Sequence, residues 1–387
     1  MNVQEIIQFA DTLYHDLTYA SAREWQEERG GAKAIGAMPI YVPREIIHAA
    51  GMLPVGLMGG GNQVEIIRGD AYFQSYICQI PRSTIELALT GKYDFLSGFL
   101  FPSICDVIRN LSGMWKVLFK DKYVRYVDLP QNYDREVGGR FWHREMSELA
   151  KDLGELSGQK VTPERLRASI ALYNENRRAI GRLMSLRHEE PWRVPAHESY
   201  LILRAGNVLP VEEHTRLVGD YCAAAIDADR PMRDNTRIVT VGSFCEQPPL
   251  ELIKTLEMAG CYIVWDDTLL GQYWFEGDIP TDGDPLQALT TAFLEKSAST
   301  SARYEPDAEK GASIRKICAR TKAEGVIFAA PSFCDPALLE QPMLQDAMDA
   351  AGIPWTAFKY AENLGQFQVI REQAGTFADS VKLWSEG

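Results

Sequence analysis

The 387-residue chain has no C-x-x-C pair and no G-x-x-x-x-G-K-[ST] loop. It also lacks an apolar run approaching the ~20 residues that a membrane helix needs. Its seven cysteines, Cys78, Cys105, Cys222, Cys245, Cys261, Cys318 and Cys334, are odd in number and scattered. That pattern excludes a small secreted disulfide framework and leaves free thiols, metal ligands or redox groups. Residues 1–20 carry acids where a secretory signal would carry basic charge, and they lack the Arg-rich character of a transit peptide. A cytoplasmic address is expected. Basic residues are the minority: 40 Lys and Arg against 53 Asp and Glu leave a net charge of −13. This argues against nucleic acid as a partner. With 46% apolar residues the chain can bury a sizeable core, and its length predicts two or three domains.

What is present is an alternation of short apolar runs with amphipathic segments. Residues 5–30 have helical spacing. A first α/β block follows, with a helix at 43–50, an extended run at 52–58, a helix at 78–90, a strand at 94–101, a helix at 103–116 and an extended run at 123–129. From 138 to 229 the pattern is almost wholly helical and charged, with Thr162 and Pro163 as cap and first turn of a long helix. A second α/β block has strands at 237–244, 261–265, 325–330 and 353–358 and helices at 249–259, 313–324, 336–351 and 366–383. The expected architecture is α/β: two wound parallel-sheet domains, flavodoxin- or Rossmann-like, with a helical segment between them. The segments run 1–35, 36–137, 138–235 and 236–387. In such sheets the crevice lies beyond the carboxyl ends of the strands.

One pentapeptide recurs. P-S-I-C-D at 102–106 and P-S-F-C-D at 331–335 each follow a buried strand and precede a helix, once in each block. The repeat suggests two halves of like topology. A cysteine at a strand-to-helix turn suits thiolate chemistry, because the helix N-terminus carries partial positive charge and unpaired amides. Ser103 or Ser332 can cap the same helices. Cys78 also heads a predicted helix. Arg82 and Arg109 follow Cys78 and Cys105 by four residues, on the same faces, where each could lower a thiolate pKa or offset the charge of a bound cluster. Cys334 is followed at that spacing by Leu338.

The candidate ligands are therefore Cys78, Cys105 and Cys334. Their wide separation along the chain fits an iron–sulfur cluster clamped between domains better than structural zinc, which favours close local pairs. Three buried cysteines acting as small hydrophobes remain the plain alternative.

Residues 40–54 (IYVPREIIHAAGMLP), Cys78 with Arg82, 102–106 and 332–336 together resemble the benzoyl-CoA reductase and 2-hydroxyacyl-CoA dehydratase D-component family, from about residue 34 onward. Residues 75–82 and the C-terminal half look most like the gamma-type (C) subunits of ATP-dependent benzoyl-CoA reductases. The resemblance implies a [4Fe-4S] cluster on Cys78, Cys105 and Cys334, and a heterodimer with a homologous iron–sulfur subunit. It further implies two ATPase or activator-type subunits, ferredoxin as electron donor, and benzoyl-CoA or a related acyl-CoA as substrate. Adding an electron to an aromatic ring needs a strongly reducing donor, and a thioester carbonyl can delocalise the radical anion that results. A radical 2-hydroxyacyl-CoA dehydratase subunit, and an electron relay whose sister chain alone binds substrate, are the competing functions. Family members often carry His after the Asp-Pro that follows the third cysteine; here it is Ala337, which departs from that pattern.

Other residues carry less. His48 is the candidate proton donor, with a packing histidine as the bland reading. Glu45 reads as a helix-face carboxylate. Cys245 follows a strand and is a candidate extra ligand, while Cys222, Cys261 and Cys318 read as core. Asp266 and Asp267 end a strand and could face the crevice, and Trp265 and Trp355 flank strand ends. Gly59-Gly60-Gly61 reads as a tight turn that could border a CoA phosphate.

Overall fold

The computed structural model describes the chain except residues 39, 243–247, 304–307, 362–366 and 386–387. Two amphipathic helices come first, α1 (Val3–His15) and α2 (Ala20–Glu28). The sequence predicts one helical stretch here. The break arises at Asp16, whose carboxylate accepts the amides of Thr18 (2.8 Å) and Ala20 (2.7 Å), while Tyr19 turns left-handed at φ 58°.

The first sheet unit follows as β1 (Ala34–Ala37), α3 (Arg44–Ala49), β2 (Leu53–Gly56), α4 (Gln79–Leu89), β3 (Gly98–Pro102), α5 (Asp106–Leu118) and β4 (Tyr123–Val127). Four helices come next: α6 (Arg140–Ser157), α7 (Pro163–Glu189), α8 (Ala196–Ala205) and α9 (Val211–Asp227). The second unit is β5 (Thr236–Val241), α10 (Leu250–Met258), β6 (Cys261–Asp266), α11 (Pro285–Lys296), α12 (Ala312–Thr321), β7 (Gly325–Pro331), α13 (Asp335–Ala350), β8 (Trp355–Tyr360) and α14 (Phe367–Ser385).

Both sheets are wholly parallel, with strand orders β2-β1-β3-β4 and β6-β5-β7-β8. The two halves thus share one topology, as the repeated pentapeptide suggests. Each sheet reverses its winding between its first and third strands, the place where doubly wound sheets open a crevice.

β1 is absent from the sequence reading, although it is central to its sheet. Its residues, A-I-G-A, have little β-branched content and only four positions. All four are buried, and at Gly36 a Cβ would fall 2.9 Å from Leu57 and Leu96, so the close packing of neighbours selects glycine. The strand read at 94–101 starts only at Gly98, because residues 90–95 form a turn.

α7 joins the halves. Thr162 caps it through the Arg165 amide (3.3 Å) with Pro163 in the first turn, as expected. Its 27 residues span about 40 Å. Leu166 and Ile170, near its start, belong to the first core, while Ala179, Ile180, Leu183 and Met184 belong to the second. The cores also exchange segments: Ile6 and Ala10 of α1 pack in the second core, whereas Leu270, Trp274, Phe275 and Phe293 pack in the first.

Candidate functional site

Each repeated turn leaves the third strand of its sheet. Pro102 pairs with Val127 and Pro331 with Tyr360 at the last ladder position. The next amide continues the ladder in both halves: Ser103 donates to the Val127 carbonyl (3.0 Å), and Ser332 to that of Tyr360 (2.7 Å). Two residues later a cysteine becomes the N-cap, its carbonyl accepting the first helical bond, from Arg109 to Cys105 (3.1 Å) and from Leu338 to Cys334 (3.0 Å). Cys78 is likewise the N-cap of α4, which packs beside α5. All three candidate ligands therefore stand at helix N-termini.

The two turns differ at their middle residue. Ile104 is 5% exposed and packs in the first core. Phe333 is 50% exposed and left-handed at φ 68°, a conformation that costs an L-residue about 1–2 kcal/mol. That backbone turns the aromatic outward beside Cys334, whose own side chain is buried with Ala330 and Ala337.

Electrostatics join two of the three thiols. Burial pushes the Cys105 thiol up to about 11; the Ile108 and Val107 amides oppose that shift, and the charge of Cys334 adds to it. Cys105 and Cys334, 229 residues apart, thus feel each other's field across the two halves. The sequence-based expectation of a lowered thiolate pKa fails for the bare thiol, because burial outweighs the helix amides. As a free thiol Cys105 is a poor nucleophile.

Several anticipated roles change. Arg82, four residues after Cys78, is also engaged elsewhere: its Nη2 (2.6 Å) and Nε (2.9 Å) both bind Asp70 Oδ1. Arg109 is exposed, and its field reaches Tyr126 together with that of Cys105. Ser103 does not cap α5. Its hydroxyl accepts the Leu129 amide (2.7 Å) and meets the Tyr126 hydroxyl, fastening β4 to the turn. His48 is held by Ser169 Oγ (2.9 Å) and Tyr173, with Glu212 at 3.7 Å, so its ring is engaged by α7 and α9. Glu45, a helix-face carboxylate as read, is buried and pairs with Arg177 (2.6 Å). Cys261 and Cys318 are core, whereas Cys222 is half-buried. Cys245 lies outside the described residues. At Gly59 (φ 66°) a Cβ would fall 2.2 Å from Ser83 Oγ, so packing on α4 accounts for that glycine.

A cleft of about 930 Å³ opens at the carboxyl ends of β5 and β6, bounded by α7, α12 and α13. Trp265 and Asp267 line it, as the sequence allowed, but most of its wall comes from 270–317, where the sequence reading placed little structure. The aromatic cluster Tyr273-Trp274-Phe275 is the signal there that could have been read. Asp266 is turned inward instead, onto Arg187 (2.5 Å).

Among the described residues, no three His, Cys, Asp or Glu side chains gather as the donors of one metal ion. A single zinc ion needs its donors within ~2.3 Å of one point, whereas a cluster places each thiolate on a different iron and spreads the sulfurs.

Residues 39–381 match the family described as 2-hydroxyglutaryl-CoA dehydratase, D-component. The chain belongs to this family. Within it, the chain is 56% identical over 386 residues to the benzoyl-CoA reductase C-subunit of Thauera aromatica, covering 100% of both chains. It is 32% identical over 359 residues to the beta subunit of (R)-2-hydroxyglutaryl-CoA dehydratase of Acidaminococcus fermentans, covering 91% of this chain and 93% of the other. The beta subunit of (R)-phenyllactyl-CoA dehydratase of Clostridium sporogenes is 28% identical over 354 residues, with 92% and 93% covered. These relatives are subunits of multi-subunit enzymes, which supports a partner subunit for this family member. Among the described residues no helix is long and apolar enough to cross a membrane.

Proposed function

We propose that this chain is the iron–sulfur subunit of an ATP-dependent, ferredoxin-linked benzoyl-CoA reductase, working in anaerobic aromatic degradation. Two electrons and two protons convert the aromatic thioester to a cyclohexadiene-carbonyl-CoA. Cys78, Cys105 and Cys334 are its cluster ligands. The observation that carries the reading is the placement of Cys105 and Cys334 as N-caps at equivalent strand ends, within each other's field. Likeness to a benzoyl-CoA reductase subunit along the whole chain supports the choice of reaction.

The donor set suits the group. Thiolates are soft ligands that select iron–sulfur clusters, and amides at a helix N-terminus can donate to sulfur. A [4Fe-4S] cluster, when bound, supplies single electrons at low potential. The chain's own residues orient and shelter it. Ser103 locks the β3 turn to β4 through Leu129, and the Ser332 amide does the same work against Tyr360. Ala330 and Ala337 wall off the Cys334 sulfur. The homologous sister subunit, the two ATPase subunits and ferredoxin complete the assembly.

Iron and acid-labile sulfide, measured anaerobically with EPR on the assembled enzyme, test the ligand set. Cys105→Ala and Cys334→Ala are each expected to lose the cluster signal of this subunit. A full cluster in both variants overturns the assignment. Dehydratase relatives favour a second reading, a 2-hydroxyacyl-CoA dehydratase subunit. Dienoyl-CoA formation from benzoyl-CoA, against reversible dehydration of a 2-hydroxyacyl-CoA, separates the two.

A further inference from the structure

We infer that this chain itself holds a CoA thioester, in the 930 Å³ cleft between α7, α12 and α13. The inference rests on the acyl-CoA reading above and goes past it by assigning the substrate's nucleotide arm to this subunit rather than to its sister alone. Ligand clefts for small molecules and cofactors run to roughly 300–1,000 Å³, so the space is of the size an elongated CoA thioester requires.

The charge on the wall is sorted. Five carboxylates border the cleft, and each is engaged: Glu295 by Arg135, Glu309 by Arg315 (2.7 Å), Glu340 by Lys310, Glu276 by Arg320 (3.8 Å), and Asp267 by the Gly242 amide (2.9 Å). Of the cations on the same wall, Lys296 and Lys316 have no carboxylate partner among the described residues. Lys296 gives its ammonium to the Asp278 carbonyl (2.7 Å), and Lys316 is exposed at the mouth. In a chain of net charge −13, a wall left with surplus positive charge selects a polyanion, and the phosphates of CoA are one.

The inner wall has different chemistry. Trp265, Tyr273, Trp274 and Phe275 line it, with Trp274 and Phe275 stacked at 3.8 Å, a surface suited to an apolar or aromatic group. The cleft also reaches the cysteine turn. Ala337, in the first turn of α13, both lines the cleft and packs against Cys334. An occupant with phosphates at Lys316 and its acyl end toward Ala337 would bring the thioester toward the proposed cluster ligand.

The assembled enzyme, purified anaerobically, is titrated with CoA and with 3′-dephospho-CoA as wild type, Lys296→Glu and Lys316→Glu, with iron and EPR recorded on the same samples. Loss of one charge-assisted phosphate contact and its replacement by repulsion is expected to weaken CoA binding about tenfold or more, with the EPR signal unchanged. A benzoyl-CoA bearing a para-azido group, whose reactive end is the acyl end, is expected to label the peptides that carry 265–277 or Ala337 on irradiation. Unchanged CoA affinity in both variants, or label confined to the sister subunit, overturns the inference. Absence of iron from the wild type would sink the cluster reading instead, and the CoA titration would still decide the cleft.

Discussion

Cys105 and Cys334 hold the same station in the two halves of the chain: each is the N-cap of the helix that leaves the third strand of its parallel sheet. The backbone around them is duplicated down to single hydrogen bonds, with the Ser103 and Ser332 amides both extending the ladder to the fourth strand. A duplicated fold thus delivers two thiols, far apart in sequence, to corresponding strand ends. The halves then diverge at Ile104 and Phe333, one buried and one turned outward.

Phe333 keeps a left-handed backbone without the help of glycine or asparagine. Phe333→Asn is expected to raise stability by about 0.5–1 kcal/mol, since asparagine tolerates that region and a half-exposed ring surrenders little burial. Urea unfolding of the isolated chain measures it. A destabilised variant would mean that the ring's contacts outweigh the backbone strain.

Arg187 and Asp266 form a buried ion pair between α7 and the end of β6. Burial pushes the Asp266 carboxyl up, but the Arg187 charge and the bonds from Thr268 more than offset this and hold it below its usual range. Its contribution is therefore present above the unfolded carboxylate pKa and lost as pH falls through the lower folded value. Asp266→Ala is expected to cost about 3–5 kcal/mol at neutral pH, because Arg187 is left buried without its counter-charge. The same variant should show a smaller loss of stability in the acid limb below about pH 4.

His214 has its ring sealed between helices. Asn176 donates to Nδ1 (3.1 Å), so Nε2 carries the proton and donates to the Ile202 carbonyl (3.1 Å). Burial, and then the charge of Arg44, lowers its pKa from 6.5 to about 4. The unfolded chain takes up the proton first, so stability falls as pH drops from about 6.5 toward 4. His214→Gln should flatten that slope by roughly 2–3 kcal/mol across the window, read from unfolding midpoints at pH 7 and pH 5. An unchanged slope would place the acid sensitivity elsewhere, with His188, also lowered to about 4, next in line.

Gly59 combines a positive φ with contact against buried Ser83. Gly59→Ala should destabilise by more than about 1 kcal/mol through both effects, and thermal unfolding reads the loss. A neutral outcome would show that Ser83 can turn aside at no cost.

Composition, strand–helix alternation and the periodicity of residues 162–182 were enough to name an α/β chain with a helical middle. The P-S-x-C-D repeat announced the internal duplication, because a strand-to-helix turn is a local event whose residues are adjacent in sequence. β1 was illegible for the opposite reason: Gly36 is chosen by Leu57 and Leu96, neighbours that only the packed sheet supplies. The same holds for electrostatics. Helix amides next to Cys105 promised a lowered pKa, but burial, which no local pattern reveals, raised it. Asp70, which the fold brings to Arg82, was not legible beside Cys78 either. The cleft belongs wholly to tertiary structure, since Trp274, Lys316 and Ala337 share a wall only after segments from both cores have crossed. Short-range chemistry was written in the chain, whereas long-range contact, and the dielectric it creates, was decided by folding.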